Sequence, residues 1–367
     1  MSAQPVPVEA TDITTSRLRI HVLESGPHDA PTLVLVHGNV SSARFFAGAM
    51  GVLGQRWHCL AADLRGFGMS ESVPVDARRG VRDFADDLHA LLDETHLVPE
   101  GERVHLLGWS LGGGVVLQYA IDHPGAVASI VLESPMSPYG FGGTRGVDGA
   151  PCWPDFAGSG GGTANPEMVR RIADGDRGAG DPTSPRRVLT TLYGQPPFEL
   201  PPQVEDELVD GMLQMVTGED FYPGDAVTSA NWPGTAPGER GVNNAISPRY
   251  CDVSGFAGIA DRPDVLWVRG DGDQIVSDAS LVDLGNLGLL GAVPLWPGAD
   301  AYPPQPMVGQ MRAVLDHYQT AGGRYQEHVL AGCGHSPHLE RPREFHALVA
   351  GFLAAADAAA RRPGSAT

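Results

Sequence analysis

The sequence predicts an α/β protein: a mostly parallel central sheet flanked by helices, carrying a large, mainly helical and loop-rich insertion. Three observations predict it. Short continuous apolar runs alternate with helix-period segments over the first third of the chain. From Pro135 to Pro263 that alternation stops and Gly and Pro become frequent. It resumes with the apolar run DVLWVRGD at 264–271 and holds to the C-terminus.

In order, TSRLRIHVLES (15–25) reads as an edge strand. TLVLVHG (32–38) is a continuous apolar run, the mark of a strand buried on both faces. ARFFAGAMGVL (43–53) is expected to be helical, and HCLAADL (58–64) the next strand. In 81–97, Val81, Phe84, Leu88, Leu91 and Leu92 recur at helical spacing. VHLLGW (104–109) is a third buried strand, and LGGGVVLQYAID (111–122) a helix that stops before Pro124. ASIVLES (128–134) is another strand. Such β-α-β-α-β order implies parallel pairing with right-handed crossovers. Within the interruption, PEMVRRIAD, SPRRVLTTLY and QVEDELVDGMLQMV are helical pieces with apolar faces that need burying, which favours a folded insertion over a linker. After 271, MRAVLDHYQTAGG is a helix, YQEHVLAGCGH contains a last strand, REFHALVAGFLAAADAAAR is a last helix, and RRPGSAT is expected to fray. The organisation is therefore a core of 1–135 and 263–367 with a cap of 136–262.

Bulk properties bound the function. The chain has 367 residues, 42% apolar and 19% charged, enough for a sizeable core. Its net charge of −19 argues against nucleic acid and anionic membranes as partners. The four cysteines show no CxxC spacing, so neither zinc nor a disulfide framework is suggested. The N-terminal residues lack the basic and apolar regions of a signal peptide, and no run is long enough to span a bilayer, so a cytoplasmic protein is expected.

The chemistry gathers around G108-W109-S110-L111-G112, a G-x-S-x-G run between a buried strand and a helix. In that setting the serine stands at a sharp turn, close to helix N–H groups that stabilise negative charge. A serine needs a base, an orienting acid and oxyanion donors. His335, directly after the last strand, is the favoured base, with His338 as competitor. Asp273 in GDGDQIV is the favoured acid, with Asp271 and Asp278 beside it and Glu133 a weaker alternative. The backbone N–H of Leu111 and of Asn39, in HGN after an early strand, are the expected oxyanion donors, while His37 is read as structural. Trp109 and the insertion aromatics Trp153, Phe156, Phe221, Tyr222 and Trp232 would line an apolar pocket or form the cap's own core.

Together HGN (37–39), DLRGFGMSE (63–71), GWSLGG (108–113), GDGDQIV (270–276) and GCGH (332–335) make the chain resemble the α/β-hydrolase superfamily, in its capped esterase- and lipase-like branch. The resemblance covers the core segments and places the insertion where that family carries a cap. It implies Ser110, Asp273 and His335 as triad, Asn39 and Leu111 as oxyanion positions, and no metal or organic cofactor. It also sets aside epoxide opening and dehalogenation, since members with those activities carry aspartate where Ser110 stands. The expected activity is hydrolysis of a small apolar carboxylic ester, lactones included, through an acyl-enzyme. Thioester hydrolysis, C–C bond hydrolysis and a proline-releasing aminopeptidase are alternatives, the last needing an acidic cap site such as 205–207 or Glu219–Asp220. A non-catalytic binding member would need a broken triad. Substrate and oligomeric state are not legible in the sequence.

Overall fold

The computed structural model describes residues 4–361 except His96 and Glu100. The chain-order elements are β1 (Glu9–Thr14), β2 (Arg19–Ser25), β3 (Thr32–Val36), α1 (Ala47–Leu53), β4 (His58–Ala62), α2 (Arg82–Asp93), β5 (Val104–Trp109), α3 (Leu111–Asp122) and β6 (Val127–Glu133). The insertion contributes α4 (Pro166–Ala173) and α5 (Pro202–Leu213), and β7 (Asp264–Gly270), α6 (Met307–Thr320), β8 (Tyr325–Leu330) and α7 (Pro342–Ala360) complete the core. Of the tail 361–367, expected to fray, residues 362–367 lie outside the described residues.

The eight strands form one sheet in the order β1-β2-β4-β3-β5-β6-β7-β8. β1 and β2 are antiparallel to each other, β2 is antiparallel to β4, and the remaining pairs are parallel. Every residue of β3, β4 and β5 is buried, as expected of mainly apolar strands with helices on both faces. The five α2-region residues picked out by helical spacing are all buried, each contributing roughly 1.5–3 kcal/mol relative to exposure.

Two expectations are corrected. Residues 19–25 are not an edge strand, because β1 covers them in register from Glu9↔Glu24 to Thr14↔Arg19. β1 (EATDIT) is almost wholly exposed and carries Glu9 and Asp12, so it shows no apolar alternation; charge on the outermost strand also discourages pairing with another chain. The segment 43–53 is not one helix but a tight turn at Ala43–Phe46 followed by α1.

Much of the insertion's buried apolar surface joins the core of the sheet. Val188, Leu189, Leu208, Val209, Met212 and Tyr222 belong to the same buried cluster as β3 and β5. α5 presses on the segment after β3: a Cβ on Gly211 would come within 2.4 Å of the Ser42 hydroxyl. Among the described residues no helix is long and apolar enough to cross a membrane. All four cysteines are free and buried, and burial pushes the Cys59 and Cys251 thiols up to about 12.

Candidate active site

Strand register gathers the site. Val36 of β3 lies opposite Gly108 of β5, so the loops that leave these strands emerge side by side. Gly270 of β7 lies opposite Leu330 of β8, which does the same for the loops holding Asp273 and His335. All four loops leave the C-terminal ends of parallel strands, where open α/β sheets bind ligands.

Ser110 links β5 to α3 with φ 55° and ψ −117°, a backbone conformation that a residue with a side chain adopts only under strain. Three hydrogen bonds hold it there. Its N–H donates to the Glu133 carbonyl (3.0 Å), and its carbonyl accepts from Gly113 (2.9 Å) and Met136 (3.0 Å). The flanking glycines let strand and helix touch. A Cβ on Gly108 would stand 2.3 Å from the Gly112 carbonyl oxygen, and one on Gly112 would stand 2.0 Å from that of Val36.

His335 and Asp273 meet: Nδ1 lies 2.8 Å from Asp273 Oδ2, and both side chains are buried. The other carboxylate oxygen accepts from the Ile275 (2.8 Å) and Val276 (2.9 Å) N–H groups. With those two donors fixing Oδ1, Oδ2 is left for the imidazole. The hydrogen-bond network thus puts the His335 proton on Nδ1 and a lone pair on Nε2. The Trp109 indole N–H donates to the His335 carbonyl (2.8 Å), tying the histidine loop to the residue before Ser110. Between Ser110 and His335 themselves the described residues form no side-chain hydrogen bond; such bonds are commonly long before substrate arrives.

The competitors have other partners. Asp271 accepts from the Gly332 N–H (2.7 Å), and Asp278 accepts from Val308 (2.8 Å) and Gly309 (3.1 Å) at the start of α6. His338 Nδ1 lies 2.7 Å from Glu133 Oε1, which also accepts the His338 backbone N–H at 2.8 Å. Glu133 is therefore bound to the second histidine rather than to His335.

The N–H groups of Asn39 and Leu111 donate to no protein group among the described residues, so both remain available. His37 shapes their loop. Its Nδ1 donates to the Gly38 carbonyl (2.8 Å), its Nε2 accepts the Leu64 N–H (3.0 Å), and burial holds its pKa below the ordinary histidine value. Arg65 of DLRGFGMSE is buried and grips Asp87 of α2 through two nitrogens at 2.5 Å.

Several neighbours were not legible in the sequence. The Tyr193 hydroxyl donates to the Asn39 carbonyl (2.8 Å) and lies 3.1 Å from that of Val40. The Gln274 amide donates to the Thr191 carbonyl (2.9 Å). Glu340 accepts from Gly334 (2.8 Å) and Ser336 (3.2 Å), on either side of His335, and from Gln195 (2.8 Å). Thus 191–195 docks at once on the loops that hold Asn39, Asp273 and His335. Nothing about Tyr193 in SPRRVLTTLY marked it; Glu340, five residues past His335, had only its spacing to point to it.

The aromatic residues separate. Trp109 is fully buried between Phe45, Phe46, Tyr193, His335 and His338. Tyr222 is buried, its phenol pushed up to about 12, and it bonds Asn243, whose amide oxygen accepts from the Asn39 side chain (3.0 Å). Phe221 packs on Gly66. Trp232 stacks edge-on against Tyr302 and donates to the Pro294 carbonyl (3.0 Å), and Trp153 is half-buried beside Phe156, whose N–H bonds its carbonyl (3.0 Å). Of the acidic insertion residues, Glu205 and Asp206 share Arg186, and Glu219 and Asp220 share Arg240, while among the described residues Glu207 accepts only from Gln203.

Residues 33–348 match the model of the alpha/beta hydrolase family. A carboxylesterase of Bacillus subtilis, YbfK, is 30% identical over 135 residues, 37% of this chain and 44% of that protein. A putative carbamate hydrolase, RutD, of Variovorax paradoxus is 38% identical over 119 residues, 32% of this chain and 43% of that protein. The chain thus aligns with less than half the length of these relatives. Among solved structures, the same YbfK esterase superposes with a TM-score of 0.57 at 18% identity, over 95% of this chain and 92% of that one. The naproxen esterase of Bacillus subtilis gives 0.56 at 17%, over 95% and 92%. These likenesses show a common fold.

Proposed function

The chain belongs to the alpha/beta hydrolase family, and on that premise we propose that it is a cofactor-independent serine hydrolase that cleaves carboxylic esters, lactones included, through an acyl-enzyme on Ser110. The observation that carries the proposal is the Asp273–His335 bond at the same end of the sheet as the Ser110 turn and two free backbone N–H groups.

In this mechanism His335 Nε2 takes the Ser110 proton as Oγ attacks the carbonyl carbon. The N–H groups of Leu111 and Asn39 hold the oxyanion, each typically worth about 10²–10³ in rate. Asp273 stabilises the imidazolium, which gives its proton to the leaving alcohol. Water activated by His335 then attacks the acyl-enzyme, releases the acid and restores the serine. Residues 136–262 act as the cap over a core of 1–135 and 263–367, with Tyr193 and Tyr222 facing the acyl site from the cap side and Trp109 as its fixed wall. The carboxylesterase names of relatives support an ester over other acyl groups. The arginine pairing of Glu205, Asp206, Glu219 and Asp220 weighs against their use by an aminopeptidase, which needs a free carboxylate for the substrate amine.

The test is a panel of p-nitrophenyl esters, lactones, acyl thioesters, aryl carbamates and aminoacyl anilides, run on wild type and Ser110→Ala. Ester or lactone turnover is expected, reduced by about 10⁴-fold or more in the variant. Undiminished turnover by Ser110→Ala, or preference for anilides, would overturn the proposal.

A further inference from the structure

At the opposite end of the sheet, three side chains from separate segments converge. Glu24 lies near the end of β2, His28 in the loop between β2 and β3, and His58 opens β4. One ligand atom from each lies within 4.8 Å of the others. Glu24 Oε1 is 2.5 Å from His58 Nε2 and 3.1 Å from His28 Nδ1. The two rings stand with centroids 5.0 Å apart. We infer that Glu24, His28 and His58 bind a divalent transition-metal ion, with Zn²⁺ the best match.

The donor chemistry selects the ion. Two imidazole nitrogens and one carboxylate oxygen suit Zn²⁺ and its neighbours better than Mg²⁺ or Ca²⁺, which favour all-oxygen shells. Bonds of about 2.0–2.2 Å to a tetrahedral ion put its ligands roughly 3.3 Å apart, so the Glu24–His58 spacing must open by under about an ångström and the Glu24–His28 spacing by less. The fourth position falls to water, because the cleft alongside, lined by Val6, Glu9, Glu24, His28 and Gln55, is open to solvent.

Two further observations point to a cation. Glu9 stands directly opposite Glu24 in the β1–β2 pair, and like charges so placed repel; a bound ion turns that repulsion into attraction. His58 is fully buried with its Nε2 directed at the Glu24 carboxylate, so one imidazole ligand is already held facing the shared oxygen. The bound ion ties the end of β2 to the starts of β3 and β4. Its role is to staple the exposed N-terminal hairpin, remote from the Ser110 turn and independent of the hydrolase reading.

The test is calorimetric titration of EDTA-stripped full-length protein with ZnCl₂, and with CoCl₂ followed by visible absorption. His28→Ala is exposed and safe for folding; Glu24→Gln removes the shared carboxylate charge. Wild type should bind one equivalent with a tetrahedral Co²⁺ spectrum and a Tm that rises with Zn²⁺. Each variant should bind at least tenfold more weakly. No stoichiometric binding by wild type, or unchanged binding by His28→Ala, would overturn the inference.

Discussion

Replacing Asp273 by asparagine tests the orientation of His335 with almost no change in shape. Asp273 Oδ1 is fixed by two backbone N–H groups, from Ile275 and Val276, and Oδ2 by His335 Nδ1. An asparagine can satisfy the two backbone donors only with its amide oxygen. The opposite flip would leave two buried N–H groups facing an NH₂, at about 1–3 kcal/mol for each unsatisfied group. The amide NH₂ must therefore point at His335 and force Nδ1 to accept. The ring proton moves to Nε2, and the base can no longer take the Ser110 proton. The expected loss in kcat is about 10³–10⁴-fold, or roughly 4–5.5 kcal/mol of transition-state stabilisation. KM should change little, since the carboxylate is buried away from substrate. The assay is steady-state hydrolysis of the best p-nitrophenyl ester, with Tm measured alongside. Asp271→Asn is the control, because that carboxylate only accepts from Gly332, and it should stay within a few-fold of wild type. An Asp273→Asn enzyme within tenfold of wild type, or an Asp271→Asn enzyme that falls further, would refute the reasoning.

Tyr193→Phe should lower kcat/KM by roughly tenfold with a stability loss of about 1 kcal/mol, because it frees the Asn39 carbonyl and loosens the oxyanion loop; an unchanged kcat/KM would show that the cap contact does not position that loop. His346 carries a pKa lowered to about 4 by burial first and by His338 second. Between about pH 6.5 and 4 the unfolded chain takes a proton that the folded one refuses, so this stability is present above 6.5 and is lost as pH falls towards 4. Since the ring is half-buried and solvent screens part of the effect, the loss should be on the order of 1–2 kcal/mol. Urea midpoints at pH 7 and 4.5 should converge for His346→Gln relative to wild type; an unaltered pH slope in the variant would count against it.

The fold was largely legible because its signals are local. A strand buried on both faces must be largely apolar, as β3, β4 and β5 are apart from Thr32, His58 and His105. A helix that turns back onto its strand must lack Cβ atoms where the backbones touch, as at Gly108 and Gly112. Such constraints act over a few residues and leave a readable pattern. β1 escaped because an exposed edge strand needs no apolar residues. The helical insertion was visible as pieces, but its docking was not, since an apolar helix face records only that it is buried.

What the tertiary structure decided is pairing between distant residues. The sequence offered two histidines three residues apart and four acids, and nothing local assigns partners among them. Asp273 meets His335 because their loops leave the neighbouring strands β7 and β8 at a fixed register, and Glu133 at the end of β6 meets His338 across β7. Tyr193 reaches the Asn39 carbonyl across 154 positions of chain, and Glu24, His28 and His58 meet because β2 lies beside β4 rather than β3. Short-range sterics and burial are written in adjacent residues. Strand order and loop closure are collective properties of the packed sheet, and they turn a serine in a glycine-rich turn into one member of a candidate site.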